Sequence, residues 1–406
     1  MSDMDEKYMQ MALRLAKRGI GKVEPNPAVG CIIVKGNQII GRGWHRKFGE
    51  AHAEITALED CKTLGINPRR ATMYVTLEPC CHQGKTSPCT QAIIDAGLGK
   101  IVVATIDPSH HNNGKGIEQL RNAGIEVQTG VCEIEAKLLN APFIKFASTN
   151  ECWTVLKWAQ SIDGKLAYLD RTDERRWISN ELSRKDAHNL RRRVAAILVG
   201  INTVIADDPL LTVQLSRGSK KPLRVVLDNN LRIPPDCKLL ATAKKSPVLI
   251  LTSQQALQAN PKIAENIAKK GAEVLAYPDM QGQSNLYFVF DELAKRNITQ
   301  LLVEGGPTVI ASFLKERFVD EIHIYICPKI LGSQGGANIT EPIAELTKAI
   351  GLYYVDIKRF GDDICLVGFS ESALRGLSII KGIDSEEDRG IGFADHSGGS
   401  AGQQPC

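Results

Sequence analysis

Apolar positions recur along the chain in two rhythms. Residues 5 to 18 set Tyr8, Met11, Ala12 and Leu15 on one helical face, and Gly19 stands where that helix would stop. Ala28 to Val34 and Gln38 to Gly43 read instead as strands, separated by the hairpin turn Lys35-Gly36-Asn37. Helical spacing returns over Ala53 to Cys61. Thr72 to Leu77 is strand-like, Thr90 to Ala96 helical, and Lys100 to Thr105 a buried strand rich in β-branched residues. A helix from Gly116, a strand over Ile125 to Gln128 and a helix over Glu133 to Leu139 continue the alternation, and this block ends near Phe146 to Glu151.

A second alternating block follows. Its strands are expected over Trp153 to Ala159, Ala195 to Val199, Leu223 to Leu227, Pro247 to Leu251, Glu273 to Leu275 and Thr299 to Val303. Its helices are expected over Asn180 to Arg193, Lys262 to Lys270 and Thr308 to Lys315. Such alternation predicts two α/β layer domains, residues 1–147 and 148–372. From about Asp384 to residue 406 the chain is rich in Gly, Ser, Asp and Glu, the composition of a disordered tail.

Composition narrows the classes of partner. A chain of 406 residues with 43% hydrophobic residues can build an ordinary core in each domain. Fifty Lys plus Arg against 46 Asp plus Glu give a net charge of only +4, evenly scattered, which points away from nucleic acid and membrane and toward a small molecule. No apolar run reaches the roughly 18 residues of a membrane span, and the first residues mix charges into a helical pattern unlike a signal peptide. A cytoplasmic protein, working as a homo-oligomer, is expected.

The cysteines change the picture. Eleven is an odd number for a disulfide framework, and only Cys80, Cys81 and Cys89 cluster. Cys31, Cys61, Cys132, Cys152, Cys237, Cys327 and Cys365 stand singly in apolar or helical contexts, where a thiol behaves as a small hydrophobe, and Cys406 belongs to the tail.

The segment His52-Ala53-Glu54 is followed by Pro79-Cys80 and, after eight intervening residues, by Cys89. One imidazole and two thiolates leave an open position on zinc, which lowers the pKa of a bound water to about 7 and yields hydroxide at neutral pH. Glu54, at a helix start and outside the ligand set, is the expected proton shuttle of a zinc deaminase. A structural zinc knuckle closed by Cys81 or His82, or a redox pair, is the competing reading. A structural site gives no reason for Glu54 or for the proline before Cys80.

These residues resemble one family, the bifunctional riboflavin-biosynthesis deaminase/reductase, over about residues 5 to 370. The motifs are Asn26-Pro27-Ala28-Val29-Gly30, Gly43-Trp44-His45, His52-Ala53-Glu54, Thr76-Leu77-Glu78-Pro79-Cys80 and the long loop through His82, Gly84, Lys85, Thr86 and Pro88 to Cys89. The resemblance implies a cytidine-deaminase-like three-layer α/β/α domain followed by a dihydrofolate-reductase-like α/β domain. It implies a diaminopyrimidinone ribosylamine phosphate as substrate, with Asn26, His45, His82 and Lys85 lining its pocket.

In the second block, Lys157 to Lys165, Trp177-Ile178-Ser179, Asp207 to Thr212 and Val303-Glu304-Gly305-Gly306-Pro307-Thr308 resemble the family's NADPH-dependent reductase. The resemblance implies that Ala159, Trp177, Thr203, Asp207, Gly305 and Gly306 contact the cofactor, and that Arg191, Leu211 and Glu304 contact substrate. Two positions depart from the family pattern: Gln214 replaces a phosphate-binding Arg, and Arg175 replaces a Ser that contacts substrate. Arg175 is therefore expected to take over the phosphate, with Arg217 or Lys220 next in line; an impaired reductase is the alternative. Cys81 stands where the family often has Ser. Two other readings, a nucleic-acid deaminase and a non-catalytic zinc scaffold, predict respectively a basic aromatic groove and indifference to loss of Glu54.

Overall fold

The computed structural model describes residues 3–82, 88–170, 177–213, 221–278, 286–336, 338 and 349–380. Lys85, Arg175, Gln214, Arg217, Lys220 and the tail from Asp384 lie outside the described residues.

The N-terminal half is built on a five-stranded sheet of β1 (Gly30–Lys35), β2 (Gln38–Trp44), β3 (Thr72–Val75), β4 (Lys100–Val103) and β5 (Glu126–Thr129) in the order β2-β1-β3-β4-β5. β1 runs antiparallel to β2 and β3, while β3, β4 and β5 are parallel. Strand periodicity sends alternate residues to opposite faces. Cys31, Ile33, Met73, Val75, Ile101 and Val103 pack against the helices Ala53–Thr63, Cys89–Asp95 and Lys115–Asn122. Ile32, Val34, Tyr74 and Val102 pack on the other side, against Asp3–Ala16 and Glu133–Leu139. Three layers result, as expected.

Two of these helices touch sheet backbone directly. A Cβ on Gly30 would lie 2.0 Å from the Ala12 carbonyl oxygen, and one on Gly43 would lie 2.1 Å from that of Ala53. Any side chain at either position would push its helix off the sheet, and the helix over Gly43 is the one that starts at His52.

The second sheet has nine strands: β6 (Trp153–Ser161), β7 (Ala196–Gly200), β8 (Leu223–Leu227), β9 (Val248–Ser253), β10 (Glu273–Tyr277), β11 (Gln300–Val303), β12 (Glu321–Cys327), β13 (Leu352–Phe360) and β14 (Asp363–Ser370). Their order is β10-β9-β8-β7-β11-β6-β12-β14-β13, parallel as far as β12 and antiparallel thereafter. One face packs Val155, Ile197, Val199, Val226 and Ile250 against Leu190, Val204 and Ile267; the other packs Leu156, Leu198, Val225 and Leu249 against Val289, Phe290, Phe313 and Leu314.

Several elements are absent from the sequence-based expectations. β12 to β14 and the helices Ala141–Thr149, Ile201–Asp207, Leu286–Lys295 and Glu371–Gly376 are among them. Ala141–Thr149 runs straight through residues 147 and 148, where the two blocks are expected to join. Ala141 and Ile144 on it pack with Trp153 and Val155 of the second sheet, while Asn140 just before it exchanges two hydrogen bonds with the backbone of Ala28, at 2.8 and 3.0 Å. One short helix thus grips both halves.

An ion pair locks that helix down. Lys145 Nζ donates to Asp320 Oδ1 and Oδ2 at 3.0 and 2.8 Å, and Asp320 Oδ2 also accepts from the Thr154 amide at 2.7 Å. Asp320 is buried, so its removal strands the Thr154 amide and leaves Lys145 with only the longer pair to Glu151 at 3.8 Å. Asp320→Ala is expected to lower stability by about 3 kcal/mol in urea unfolding. An unchanged midpoint would show that the pair contributes nothing.

Candidate active sites

Three segments converge at one end of the first sheet. His52 is the N-cap residue of Ala53–Thr63, Cys89 opens Cys89–Asp95, and Cys80 lies in the turn that follows β3. His52 Nδ1 sits 3.3 Å from Cys89 Sγ and 3.6 Å from Cys80 Sγ, and all three ligand atoms lie within 4.8 Å of one another. Tetrahedral zinc, with bonds of about 2.0 Å to nitrogen and 2.3 Å to sulfur, requires a nitrogen–sulfur separation near 3.5 Å. The donor set and its spacing therefore fit zinc. Among the described residues no other cluster of His, Cys, Asp and Glu does so.

The electrostatics suit thiolate ligands. A hydrogen bond with Cys89 holds the Cys80 thiol down to about 4 against the effect of burial, with His52 helping; sharing that bond, and burial, push Cys89 up. The Cys89 amide also donates to Cys80 Sγ at 3.4 Å.

Glu54 lies one residue into the helix from His52 and its side chain is 3% exposed. Burial first, and then the negative charge of Cys80, raise its carboxyl to about 7. It is thus poised to accept and return a proton near neutrality. His45 is buried beside it, its ring 5.4 Å from that of His52. Asn26 Nδ2 donates to His45 Nε2 at 3.4 Å, which matches the tautomer whose Nδ1–H donates to the Ala51 carbonyl at 3.1 Å. His82 is exposed, its ring 5.8 Å from that of His111 and tilted 46° to it, and Cys81 Sγ points to the His111 carbonyl at 3.8 Å. Neither belongs to the ligand cluster, so the described residues do not close the metal position.

Two supporting residues carry more than the sequence motifs showed. The buried Glu78 carboxylate accepts from the amides of Asp107 (3.2 Å), Gly114 (2.9 Å), Gly116 (2.9 Å) and Ile117 (3.3 Å), which gathers the start of Lys115–Asn122 behind the ligands. Asn112 Oδ1 accepts from the Cys81 amide at 3.1 Å, and its Nδ2 meets the carbonyls of Glu78 and Pro79 at 3.4 Å. A glutamate between an apolar strand and a Pro-Cys pair was the available signal for Glu78; Asn112 had none.

The second sheet carries a cavity of about 2000 Å³. It opens at the carboxyl ends of β6, β7, β8 and β11, where the strand order reverses, the usual ligand crevice of an open parallel sheet. Ala159, Trp177, Thr203, Asp207, Gly306, Arg191, Leu211 and Glu304 all line it. Gly305 does not: it packs against Val199, with room for a Cβ only at 3.0 Å. Pro307 follows Gly306 at the first turn of Pro307–Lys315, so that helix start lacks one amide donor.

At the cavity base Arg191 Nε and Nη2 donate to the two Glu304 oxygens, both at 2.6 Å. Burial pushes the Glu304 carboxyl up, but Arg191, Lys157 and His188 outweigh it and hold the group below its ordinary value. Lys157, half-buried in β6 with its Nζ 5.2 Å from the Tyr325 ring centre, is pulled down by the loss of solvent around its ammonium. Lys157 and His188 were not singled out from sequence. A lysine inside the apolar run Val155 to Ala159 was the signal.

Comparison with known proteins matches both halves. Residues 152–366 fit the RibD C-terminal domain, and residues 2–105 fit the cytidine and deoxycytidylate deaminase zinc-binding region. The riboflavin biosynthesis protein RibD of Aquifex aeolicus (strain VF5) is 43% identical over 365 residues, covering 90% of this chain and 98% of the relative. The chain belongs to the RibD family. It is a two-domain deaminase and reductase of riboflavin biosynthesis. RibD of Acinetobacter baumannii (form 1) shares 35% identity at a TM-score of 0.78, covering 90% of this chain and 99% of that one. A deaminase/reductase from Thermotoga maritima shares 32% at 0.78 with the same coverage.

Because Glu78 gathers four amides behind the ligand-bearing turn, Glu78→Ala is expected to weaken zinc affinity by about 10- to 100-fold. Competition with a chromophoric chelator measures this; wild-type affinity in the variant would contradict it.

Proposed function

We propose that the chain deaminates 2,5-diamino-6-(5-phosphoribosylamino)pyrimidin-4(3H)-one at the His52–Cys80–Cys89 cluster. It then reduces the ribosyl side chain to ribityl with NADPH in the second-domain cavity. The observation that carries the first half is a three-ligand cluster with a buried, unliganded carboxyl, Glu54, against it. The Thermotoga maritima relative is described as a diaminohydroxyphosphoribosylaminopyrimidine deaminase/5-amino-6-(5-phosphoribosylamino)uracil reductase, which supports the same two steps in this chain.

In the deaminase, His52 Nδ1 and the sulfurs of Cys80 and Cys89 hold zinc, which when bound acts as a Lewis acid that acidifies water. Glu54 takes the proton of the attacking water and returns protons to the ring nitrogen and the departing amine. Asn26 and His45 present an amide and an imidazole to the ring edge, and His82 and Lys85 are the further residues assigned to substrate binding. In the reductase, the nicotinamide supplies the hydride. Ala159, Trp177, Thr203, Asp207 and Gly306 face the dinucleotide, and Leu211 and Glu304 face substrate. Glu304 occupies the Nε–H and one Nη2–H of Arg191, which leaves three donors for a phosphate oxygen. Arg175 supplies the second phosphate charge that Gln214 no longer provides.

The protein is proposed to work in the cytoplasm as a homo-oligomer. Among the described residues no helix is long and apolar enough to cross a membrane.

Glu54→Gln is expected to retain zinc, to lose ammonia release by about 10²-fold or more, and to leave NADPH oxidation on the deaminated intermediate intact. Wild-type ammonia release in that variant would overturn the deaminase assignment. Arg175→Ala is expected to raise the reductase KM for the phosphorylated substrate by about tenfold, and an unchanged KM would remove Arg175 from the phosphate site.

A further inference from the structure

Arg224, in β8, is fully buried. Among the described residues no carboxylate lies within 4.0 Å of its guanidinium, and its hydrogen bonds go to neutral acceptors. Nη1 donates to the Leu210 carbonyl at 3.0 Å and to Thr242 Oγ1 at 2.8 Å, and Nη2 donates to the Ser246 carbonyl at 2.5 Å. Among the described residues its Nε has no partner. Burial pulls the group down to about 10, the mark of a cation with little to offset its lost hydration. Removing a charge from water without a counter-charge is costly, and an apolar side chain of similar length would serve packing better. The arrangement is explained by what the guanidinium holds.

Leu210 belongs to the run Asp207-Asp208-Pro209-Leu210-Leu211-Thr212, every member of which lines the second-domain cavity. The run is not in a relaxed conformation. Asp208 has φ of 39° and Leu211 of 47°, in the left-handed region that residues with a Cβ avoid. Leu211 is turned inward and buried while Leu210 stays 45% exposed. Two anchors outside the run hold it: the Lys238 amide donates to Asp208 Oδ1 at 2.8 Å, and Arg224 takes the Leu210 carbonyl. Thr242 fixes the guanidinium in turn, and its hydroxyl also donates to the Lys238 carbonyl at 2.7 Å. Both anchors thus meet on the short helix Lys238–Ala241.

We propose that Arg224 is a positioning residue for the reductase: it holds the strained 207–212 wall in the shape that lets Asp207 and Leu211 meet cofactor and substrate, without touching either ligand itself. A lysine cannot reproduce this. Its single ammonium does not span acceptors on three segments as a planar fork does. The inference rests on assigning the cavity to the reductase.

The two activities of one full-length chain make the test internally controlled. Arg224→Lys and the milder Thr242→Val are assayed for NADPH oxidation and for ammonia release in the same preparation. A displaced wall is expected to raise the reductase KM for NADPH or for the pyrimidine by about tenfold in Arg224→Lys, and by less in Thr242→Val. Reductase kcat changes far less, and deamination stays at wild-type level. A merely structural role would instead lower the active fraction, and hence kcat, at unchanged KM. That outcome, equal loss of both activities, or wild-type reductase constants in the folded variants would overturn the proposal. If Arg224→Lys does not fold, Thr242→Val alone decides. Asp207→Ala with wild-type NADPH KM would overturn the cavity assignment, separately from the role of Arg224.

Discussion

Two sulfurs and an imidazole nitrogen must stand within a tetrahedron's edge of one another before any metal arrives, and the first domain is organised around that requirement. His52 and Cys89 each stand at the start of a helix, where free amides and the helix dipole favour negative charge on nearby sulfur. The two helices pack on one face of the same sheet. How closely the helix behind His52 approaches the sheet is set by backbone, because Gly43 lets the Ala53 carbonyl lie where a Cβ would be. Cys80 is held from behind by Glu78 and Asn112, whose bonds run to backbone groups of the turn and of the 107–117 segment. Glu54 follows from the same placement: a residue one step inside the helix that begins at His52 has nowhere to go but the buried side of the cluster.

The second domain solves a different problem. A nicotinamide cofactor and a pyrimidine substrate need a long crevice, and a parallel sheet whose strand order reverses supplies one. The charge is handled by pairing. Arg191 and Glu304 satisfy each other in bidentate geometry, so each stays ionised in a buried site while the arginine keeps free donors. The halves are also fitted to one another. A Cβ on Gly21 would lie 2.7 Å from the Arg192 carbonyl, just past the end of the helix that carries Arg191, and Ala141–Thr149 bridges from the Ala28 backbone to Asp320.

How much of this could be read from sequence depended on how local each signal was. His52, Glu54, Cys80 and Cys89 carry their chemistry in residue type and short spacing, so the metal cluster was legible. The alternating blocks were legible where apolar runs are continuous, as in Leu223 to Leu227. β13 was not, because it is an exposed edge strand whose residues Asp356, Lys358 and Arg359 interrupt any alternation. The helix Ala141–Thr149 was hidden because its apolar face, with Ala141 and Ile144, answers to a sheet that begins only afterwards. Arg224 was invisible for the same reason: an arginine in a strand reads as solvent-facing until the strand is known to be central and the acceptors, 14 to 22 residues away, are folded around it. Non-local partners, not weak patterns, limited the reading.

The proposed deaminase requires an open zinc site with three protein ligands, two of them sulfur. X-ray absorption at the zinc edge of the purified protein tests it directly, since sulfur and nitrogen shells are separated at about 2.3 and 2.0 Å. Two sulfurs and one imidazole per zinc are predicted, unchanged when Cys81 is replaced by serine. A third sulfur, or a second histidine, would mean that Cys81 or His82 closes the metal position and that the site is structural.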